Sequence, residues 1–104
     1  MSTSAISRNL LVQCWGTPNV TIGSVNEPRE TEEQGHRFNE KWIYRLSPTT
    51  PDQPKERLIY WLRYDFVAAY LVSSSGGLVR EDLGSVVSGL RDRRYHPQSG
   101  PTAR

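Results

Sequence analysis

Cysteine and histidine are scarce in this sequence. The chain of 104 residues has one cysteine, Cys14, and two histidines, His36 and His96. A single cysteine excludes an intramolecular disulfide framework and a zinc site built from several cysteines, and it fits a reducing compartment. The Glu-Glu-x-x-His order that ends at His36 does not match the His-Glu-x-x-His spacing of zinc peptidases. We therefore expect no metal, no cofactor and no catalytic residue.

Long apolar runs are also missing. The run Leu10–Val12 is too short for the core of a signal peptide. The apolar segment 58–72 is interrupted by Arg63 and Asp65, so no stretch approaches the roughly 18 uncharged apolar residues of a membrane span. We expect a soluble, cytoplasmic protein without a membrane span.

Length and charge limit the domain organisation. A chain of this length allows one domain, and a formal net charge of +2 is too small to indicate nucleic-acid binding by itself. The charge is uneven, because residues 27–33 are acidic and the C-terminal end is rich in arginine. We predict a frayed N-terminus over residues 1–6, a single α+β domain over 7–92 and a disordered basic tail over 93–104.

The N-terminal part of the chain predicts a short helix. Ser4 or Ser7 can act as its N-cap. The helix would run to Cys14 or Trp15, and Gly16 would end it as a C-cap.

Strands are predicted after this helix. Residues 20–25 alternate apolar and polar side chains, which predicts a short strand. The glutamate-rich segment 26–35 ends in glycine and predicts an exposed acidic loop. Within 36–46, Trp42 and Tyr44 follow a period of two, which is typical of a strand with one buried face.

The segment 57–73 fits both a helical face and a strand face. Its high content of aromatic and β-branched residues favours strand. Either one long bent strand or two strands broken near Asp65 would satisfy the pattern. The glycines of Ser73–Gly77 then predict a turn, and Leu78–Arg80 would start a returning strand.

An apolar stripe of helical spacing follows. Leu83, Val86, Val87 and Leu90 fall at i, i+3, i+4 and i+7, which predicts a helix over 81–91. Together these elements predict an α+β fold with a short N-terminal helix, an antiparallel sheet of three to four strands, a C-terminal helix and a disordered tail.

Three motifs follow one another in a suggestive order. They are Trp15-Gly16-Thr17-Pro18-Asn19 after the short helix, Lys41-Trp42-Ile43-Tyr44-Arg45, and Gly76-Gly77-Leu78-Val79-Arg80 after an aromatic strand. Over residues 7–82 this order resembles the SmpA/OmlA small lipoproteins, whose outer-membrane member scaffolds the β-barrel assembly machine. The resemblance implies two helices packed on a three-stranded antiparallel sheet, and an interaction module without catalysis. The signal peptide and lipidated cysteine of that family are not found here, so an outer-membrane location is not expected.

Aromatic and basic residues are interleaved in the predicted central strands. Successive side chains of a strand point to opposite faces, so Trp42 and Tyr44 would be buried while Lys41 and Arg45 face solvent. We expect the solvated face to contact a protein partner, because tyrosine and arginine are typical anchors of such surfaces. The candidate interaction surface consists of Lys41, Arg45, Tyr60, Arg63 and Tyr64.

The leading hypothesis is therefore a non-enzymatic protein-interaction domain. The alternative is a single-stranded nucleic-acid-binding module, in which rings on the same face stack on bases beside arginine. That alternative requires Tyr60, Trp61 and Tyr64 to be exposed next to Arg63.

Overall fold

The computed structural model describes residues 6–84 and 86, and its regular elements are one helix and seven strands. The elements are α1 (Arg8–Trp15), β1 (Val20–Gly23), β2 (Thr31–Glu33), β3 (His36–Phe38), β4 (Glu40–Arg45), β5 (Pro54–Leu62), β6 (Asp65–Ser73) and β7 (Leu78–Arg80). Five strands form an antiparallel sheet in the order β1-β4-β5-β6-β7, and β2 and β3 form a separate hairpin. The predicted antiparallel sheet is confirmed, with five strands instead of three to four.

The predicted α+β class is wrong, because the described residues are mainly strand. The predicted acidic loop over 26–35 contains β2, whose pairing with β3 makes a glutamate-rich segment extended despite its weak strand propensity. Within the predicted C-terminal helix over 81–91, residues 83, 84 and 86 have helical geometry. The rest of that helix, the tail over 93–104 and residues 1–5 lie outside the described part of the chain.

The helix α1 begins and ends at local caps. The side chain of Ser7 accepts a hydrogen bond from the Leu10 N–H at 3.2 Å. At the other end, the Gly16 N–H donates to the Val12 carbonyl at 2.8 Å, and Gly16 has a φ of 81°. The helix is therefore confirmed where the sequence predicts it, with Ser7 as the N-cap.

The segment 57–73 forms two paired strands, as one of the two strand interpretations predicts. They are β5 and β6, joined by a two-residue turn at Arg63 and Tyr64. Both turn residues have positive φ, 50° and 81°, which is the backbone geometry that suits the right-handed twist of a hairpin.

Both faces of the five-stranded sheet are covered. On one face α1 and Leu83 pack on a cluster that includes Trp42, Ile59 and Trp61. On the other face the β2–β3 hairpin packs on Tyr60, whose ring centroid lies 4.7 Å from that of Phe38. The second cluster consists of Phe38, Leu58, Tyr60, Ala68, Tyr70 and Val72. The face that the sequence predicts to be solvated is thus largely buried.

Candidate interaction surface

The structure separates the five residues predicted to form one surface. Lys41 and Tyr60 are cross-strand partners in β4 and β5. Arg63 and Tyr64 lie in the turn after β5. Arg45 is four residues further along β4 than Lys41, about 13 Å away in an extended strand. The predicted residues therefore occupy three different places.

Tyr60 is the centre of a polar cluster beneath the hairpin, which we call the Glu33 cluster (Glu33, Lys41, Tyr60). The Tyr60 hydroxyl and the Lys41 ammonium each donate to the same oxygen of Glu33, both at 2.9 Å. The Lys41 nitrogen lies 5.6 Å from the centroid of the Tyr60 ring. Tyr60 itself is fully buried, so it cannot contact a partner in this structure.

A second polar contact fastens the same hairpin. The His36 Nε2 atom and the Tyr70 hydroxyl are 2.9 Å apart, and their rings lie 5.9 Å apart. Because His36 is in β3 and Tyr70 in β6, this contact and the Glu33 cluster both link the hairpin to the sheet.

The electrostatics of the Glu33 cluster favour a fixed donor and a fixed acceptor. Burial raises the pKa of Tyr60 far above its ordinary value, and the adjacent Glu33 carboxylate raises it further. Burial acts to raise the pKa of Glu33 too, but hydrogen bonds from Lys41 and Tyr60 and the charge of Lys41 outweigh it, so that pKa is lowered. At neutral pH Tyr60 is therefore a neutral donor and Glu33 a charged acceptor, as a structural contact requires.

The stabilisation supplied by Glu33 is expected to disappear in acid. A carboxyl group with a lowered pKa in the folded state stabilises the protein above its ordinary value of 4.5, and this contribution is lost as pH falls through the lowered pKa. Since Glu33 is partly exposed, Glu33→Gln should reduce the free energy of unfolding at neutral pH by only about 0.5–1 kcal/mol. Urea denaturation should show this difference shrinking as pH falls below 4.5 and vanishing in acid below the lowered pKa of Glu33.

The matched control for this prediction is Glu32→Gln. Glu32 is the exposed neighbour of Glu33 in the same strand, and its replacement should change stability by less than about 0.5 kcal/mol at either pH. A difference between wild type and Glu33→Gln that is the same at both pH values would contradict the assigned role.

Arg8 and Glu40 form a second charge cluster, which ties α1 to the sheet; its Glu40 side chain is buried and its Arg8 side chain is partly exposed. The Arg8 guanidinium donates to both carboxylate oxygens of Glu40, at 2.7 and 3.1 Å. The Trp42 indole N–H also donates to Glu40, at 2.8 Å. The Arg8 Cζ atom lies 4.9 and 5.1 Å from the ring centroids of Trp42 and Trp61. Sequence reasoning missed Glu40, since a lone glutamate at the start of a strand gives no signal of burial.

Tyr64 is the ring of the predicted surface that stays accessible, with 65% of its surface exposed. Its neighbour Arg63 donates to the carbonyls of Glu27 and Pro28, at 3.0 and 3.4 Å. By contrast, Tyr60 and Trp61 have no exposed surface. The exposed rings that the nucleic-acid alternative requires are therefore not assembled here.

Strand β7 presents an exposed edge. All three of its residues are exposed, including 63% of Val79 and 38% of Leu78. Within the described residues, β7 pairs only with β6 and ends the order of the sheet. Adjacent residues in a strand point to opposite faces, so Leu78 and Val79 expose apolar surface on both sides of this edge of the sheet.

The hydrogen bonds between β6 and β7 show which backbone groups face inward. The Ser73 N–H donates to the Gly77 carbonyl at 2.8 Å, and the Glu81 N–H donates to the Ala69 carbonyl at 2.9 Å. Ser73–Gly77 and Ala69–Glu81 are therefore hydrogen-bonded pairs of an antiparallel ladder. In such a ladder, hydrogen-bonded and non-hydrogen-bonded pairs alternate. Odd-numbered residues of this strand therefore direct their backbone groups towards β6.

The even-numbered residues of β7 direct their backbone groups outward. Val79 is paired with Leu71, and this is the hydrogen-bonded pair that lies between the two pairs described above. Leu78 and Arg80, opposite Val72 and Tyr70, occupy the non-bonded positions. The N–H and C=O groups of Leu78 and Arg80 consequently point away from the sheet.

Metal-binding clusters and membrane-spanning helices are both missing from the described residues. Over 6–84 and 86, no group of three or more His, Cys, Asp or Glu side chains is placed to hold a metal ion. No helix in that part of the chain is long and apolar enough to cross a bilayer. The free thiol of Cys14 is half-buried and packs against the cluster under α1.

Comparisons with protein-family models, with curated proteins and with solved structures found no match. The resemblance to the SmpA/OmlA lipoproteins therefore stays a prediction based on three short motifs. Support for a function comes from the geometry of the chain itself.

Proposed function

We propose that this chain is a non-enzymatic protein-interaction domain that binds an extended segment of its partner along the edge of β7. The observation that carries the proposal is the exposed apolar surface of Leu78 and Val79 beside outward-pointing backbone groups. A strand added to such an edge gains main-chain hydrogen bonds and buries apolar side chains. Because α1 and the hairpin cover the two faces of the sheet, a partner can bind the sheet best at one of its edges.

The opposite edge, β1, suits a partner strand less well. Ile22 is its exposed large apolar residue, but Ile22 also lines a cleft of about 200 Å³ against Thr31 and Phe38 of the hairpin. Gly23, which pairs with Glu40 on the inner side of β1, has a φ of 77°, so the outer side of the strand departs from extended geometry at that residue. The accessible edge of β1 is therefore shorter than its four residues.

We further propose that the domain works in the cytoplasm. The lone cysteine supports this location, because free thiols persist in reducing compartments. A fold held together by hydrophobic clusters and ion pairs needs no oxidising environment.

Val79→Lys is expected to abolish partner binding while leaving the fold intact. A lysine on an edge strand opposes the addition of another strand, and the side chain of Val79 contributes little to the core because most of it is exposed. Short random peptides displayed on phage should be selected on the immobilised full chain. The Kd of the selected peptides should rise by about tenfold or more in the variant.

Ile22→Lys is the matched control, because it places the same charge on an exposed residue of the opposite edge. Both variants should unfold within about 0.5 kcal/mol of wild type, and Ile22→Lys should retain peptide binding. Failure to select any peptide, or selected peptides that bind Val79→Lys as tightly as wild type, would disprove the proposed site.

A further inference from the structure

We infer that the segment received by β7 is an antiparallel strand that places an acidic side chain opposite Arg80 and apolar side chains opposite Val79 and Leu78. This inference rests on the proposed function, since it specifies the chemistry of the partner at the same edge. It follows from the charge and exposure of the three β7 side chains and from the direction of their backbone groups.

Arg80 supplies the charge that selects an acidic partner. Arg80 is exposed, and within the described part of the chain no carboxylate forms an ion pair with its guanidinium. The adjacent Glu81 does not neutralise it, because the Glu81 side chain is 8% exposed and accepts hydrogen bonds from Arg57 at 2.8 and 2.9 Å. A carboxylate on the incoming strand, directly across from Arg80, would form the favourable cross-strand pair.

The two other β7 side chains continue apolar stripes on opposite faces. Val79 extends the row that contains half-buried Leu71, on the side of α1. Leu78 extends the row that contains buried Val72, on the side of the hairpin. An incoming strand with consecutive apolar residues at these positions would lengthen both rows and remove Leu78 and Val79 from water.

A second copy of this chain fits the edge less well than an acidic strand does. Two copies could pair their β7 strands about a two-fold axis at Val79, so that Leu78 of each copy faces Arg80 of the other. That register would use all the outward backbone groups. However, it would place the two Arg80 residues on one face as diagonal neighbours about 7–8 Å apart, where like charges repel.

The test uses two synthetic peptides that differ in one residue, with the cores Thr-Glu-Val-Val-Thr and Thr-Lys-Val-Val-Thr. In an antiparallel complex the glutamate or lysine lies opposite Arg80. Titration of the isotope-labelled full chain, followed by NMR, should shift the amide signals of Leu78 and Arg80 and slow their hydrogen exchange. The glutamate peptide should bind about tenfold or more tightly than the lysine peptide.

Charge reversal separates this electrostatic role from a structural one. In Arg80→Glu, the lysine peptide should become the tighter ligand, which a loss of structure could not produce. Equal binding of the two peptides at Leu78 and Arg80, with no response to Arg80→Glu, would overturn the inference and leave the proposed edge site standing.

Two further outcomes would separate an error in the partner chemistry from an error in the edge site. If neither peptide binds while phage-selected peptides bind in a Val79-dependent manner, the partner chemistry is wrong and the edge site is right. If sedimentation shows self-association that Val79→Lys abolishes, a second copy occupies the edge and the acidic partner is rejected.

Discussion

Replacing Glu40 with alanine is expected to lower the free energy of unfolding by about 3–5 kcal/mol, the usual effect of removing one member of a buried ion pair. The Glu40 side chain is 7% exposed and accepts hydrogen bonds from Arg8 and Trp42. Its removal leaves the Arg8 guanidinium without a counter-charge and the buried Trp42 N–H without an acceptor. Urea denaturation followed by tryptophan fluorescence measures the change.

Two controls define what Glu40 contributes. Glu30→Ala removes a carboxylate that is more exposed and pairs with Arg37 and Arg63 at 3.7 and 3.4 Å, so the loss should stay below about 1 kcal/mol. The double variant Arg8→Ala with Glu40→Ala should lose less than the sum of the two single variants, because no buried charge is left unpaired. Strict additivity, or a stable Glu40→Ala variant, would show that the pair does not hold α1 to the sheet.

The part of the fold that the sequence predicts well depends on local contacts. Ser7 caps the helix through a bond to a residue three positions away, and Gly16 ends it through a bond four positions back. The alternation in β4 is local as well, and it correctly places Trp42 and Tyr44 on the buried side. Caps and periodicity are visible in the sequence because both operate within one turn or one strand.

The environment of the second sheet face depends on contacts that are distant in sequence. Alternation predicts that Lys41 faces away from Trp42, but it does not predict what covers Lys41. The cover is the β2–β3 hairpin, and its Glu33 bonds Tyr60 across 27 positions of the chain. Tyr60 therefore resembles a surface residue in sequence although it is buried in the structure. The glutamate-rich hairpin resembles a loop because glutamate has a weak strand propensity and the packing of the hairpin on Tyr60 is tertiary.

The turn between β5 and β6 shows why the sequence does not indicate where β5 ends and β6 begins. Two-residue hairpin turns with positive φ favour asparagine and glycine, whereas this one contains Arg63 and Tyr64. Neither residue carries a turn signal. The contacts around the turn stabilise it instead, since the side chain of Asn39 accepts the Arg63 N–H at 3.1 Å. Asn39 lies in the short connection between the hairpin and β4, so sequence proximity gives no indication of this contact.

Asn39 is also the reason why a small change at Gly23 is expected to be severe. The Asn39 side-chain amide donates to the carbonyls of Val25 and Glu27, both at 3.2 Å, and its backbone N–H donates to the Trp61 carbonyl at 3.0 Å. These bonds, together with its burial, fix the Asn39 backbone in place. A methyl group built on Gly23 would overlap the Asn39 carbonyl oxygen, which has no freedom to move aside.

Gly23→Ala is therefore expected to destabilise the protein by at least about 3 kcal/mol, more than the roughly 1–2 kcal/mol that positive φ alone costs an L-residue. Gly35→Ala isolates the smaller effect, because Gly35 has nearly the same φ, 78° against 77°, and nothing lies within 4 Å of the position of its added methyl group. Urea denaturation of both variants measures the two losses of unfolding free energy. The difference between them is the cost of steric overlap beyond the cost of positive φ. Equal losses would mean that the Asn39 carbonyl can yield, and that the connection between β1, the hairpin and the β5–β6 turn is looser than its hydrogen bonds indicate.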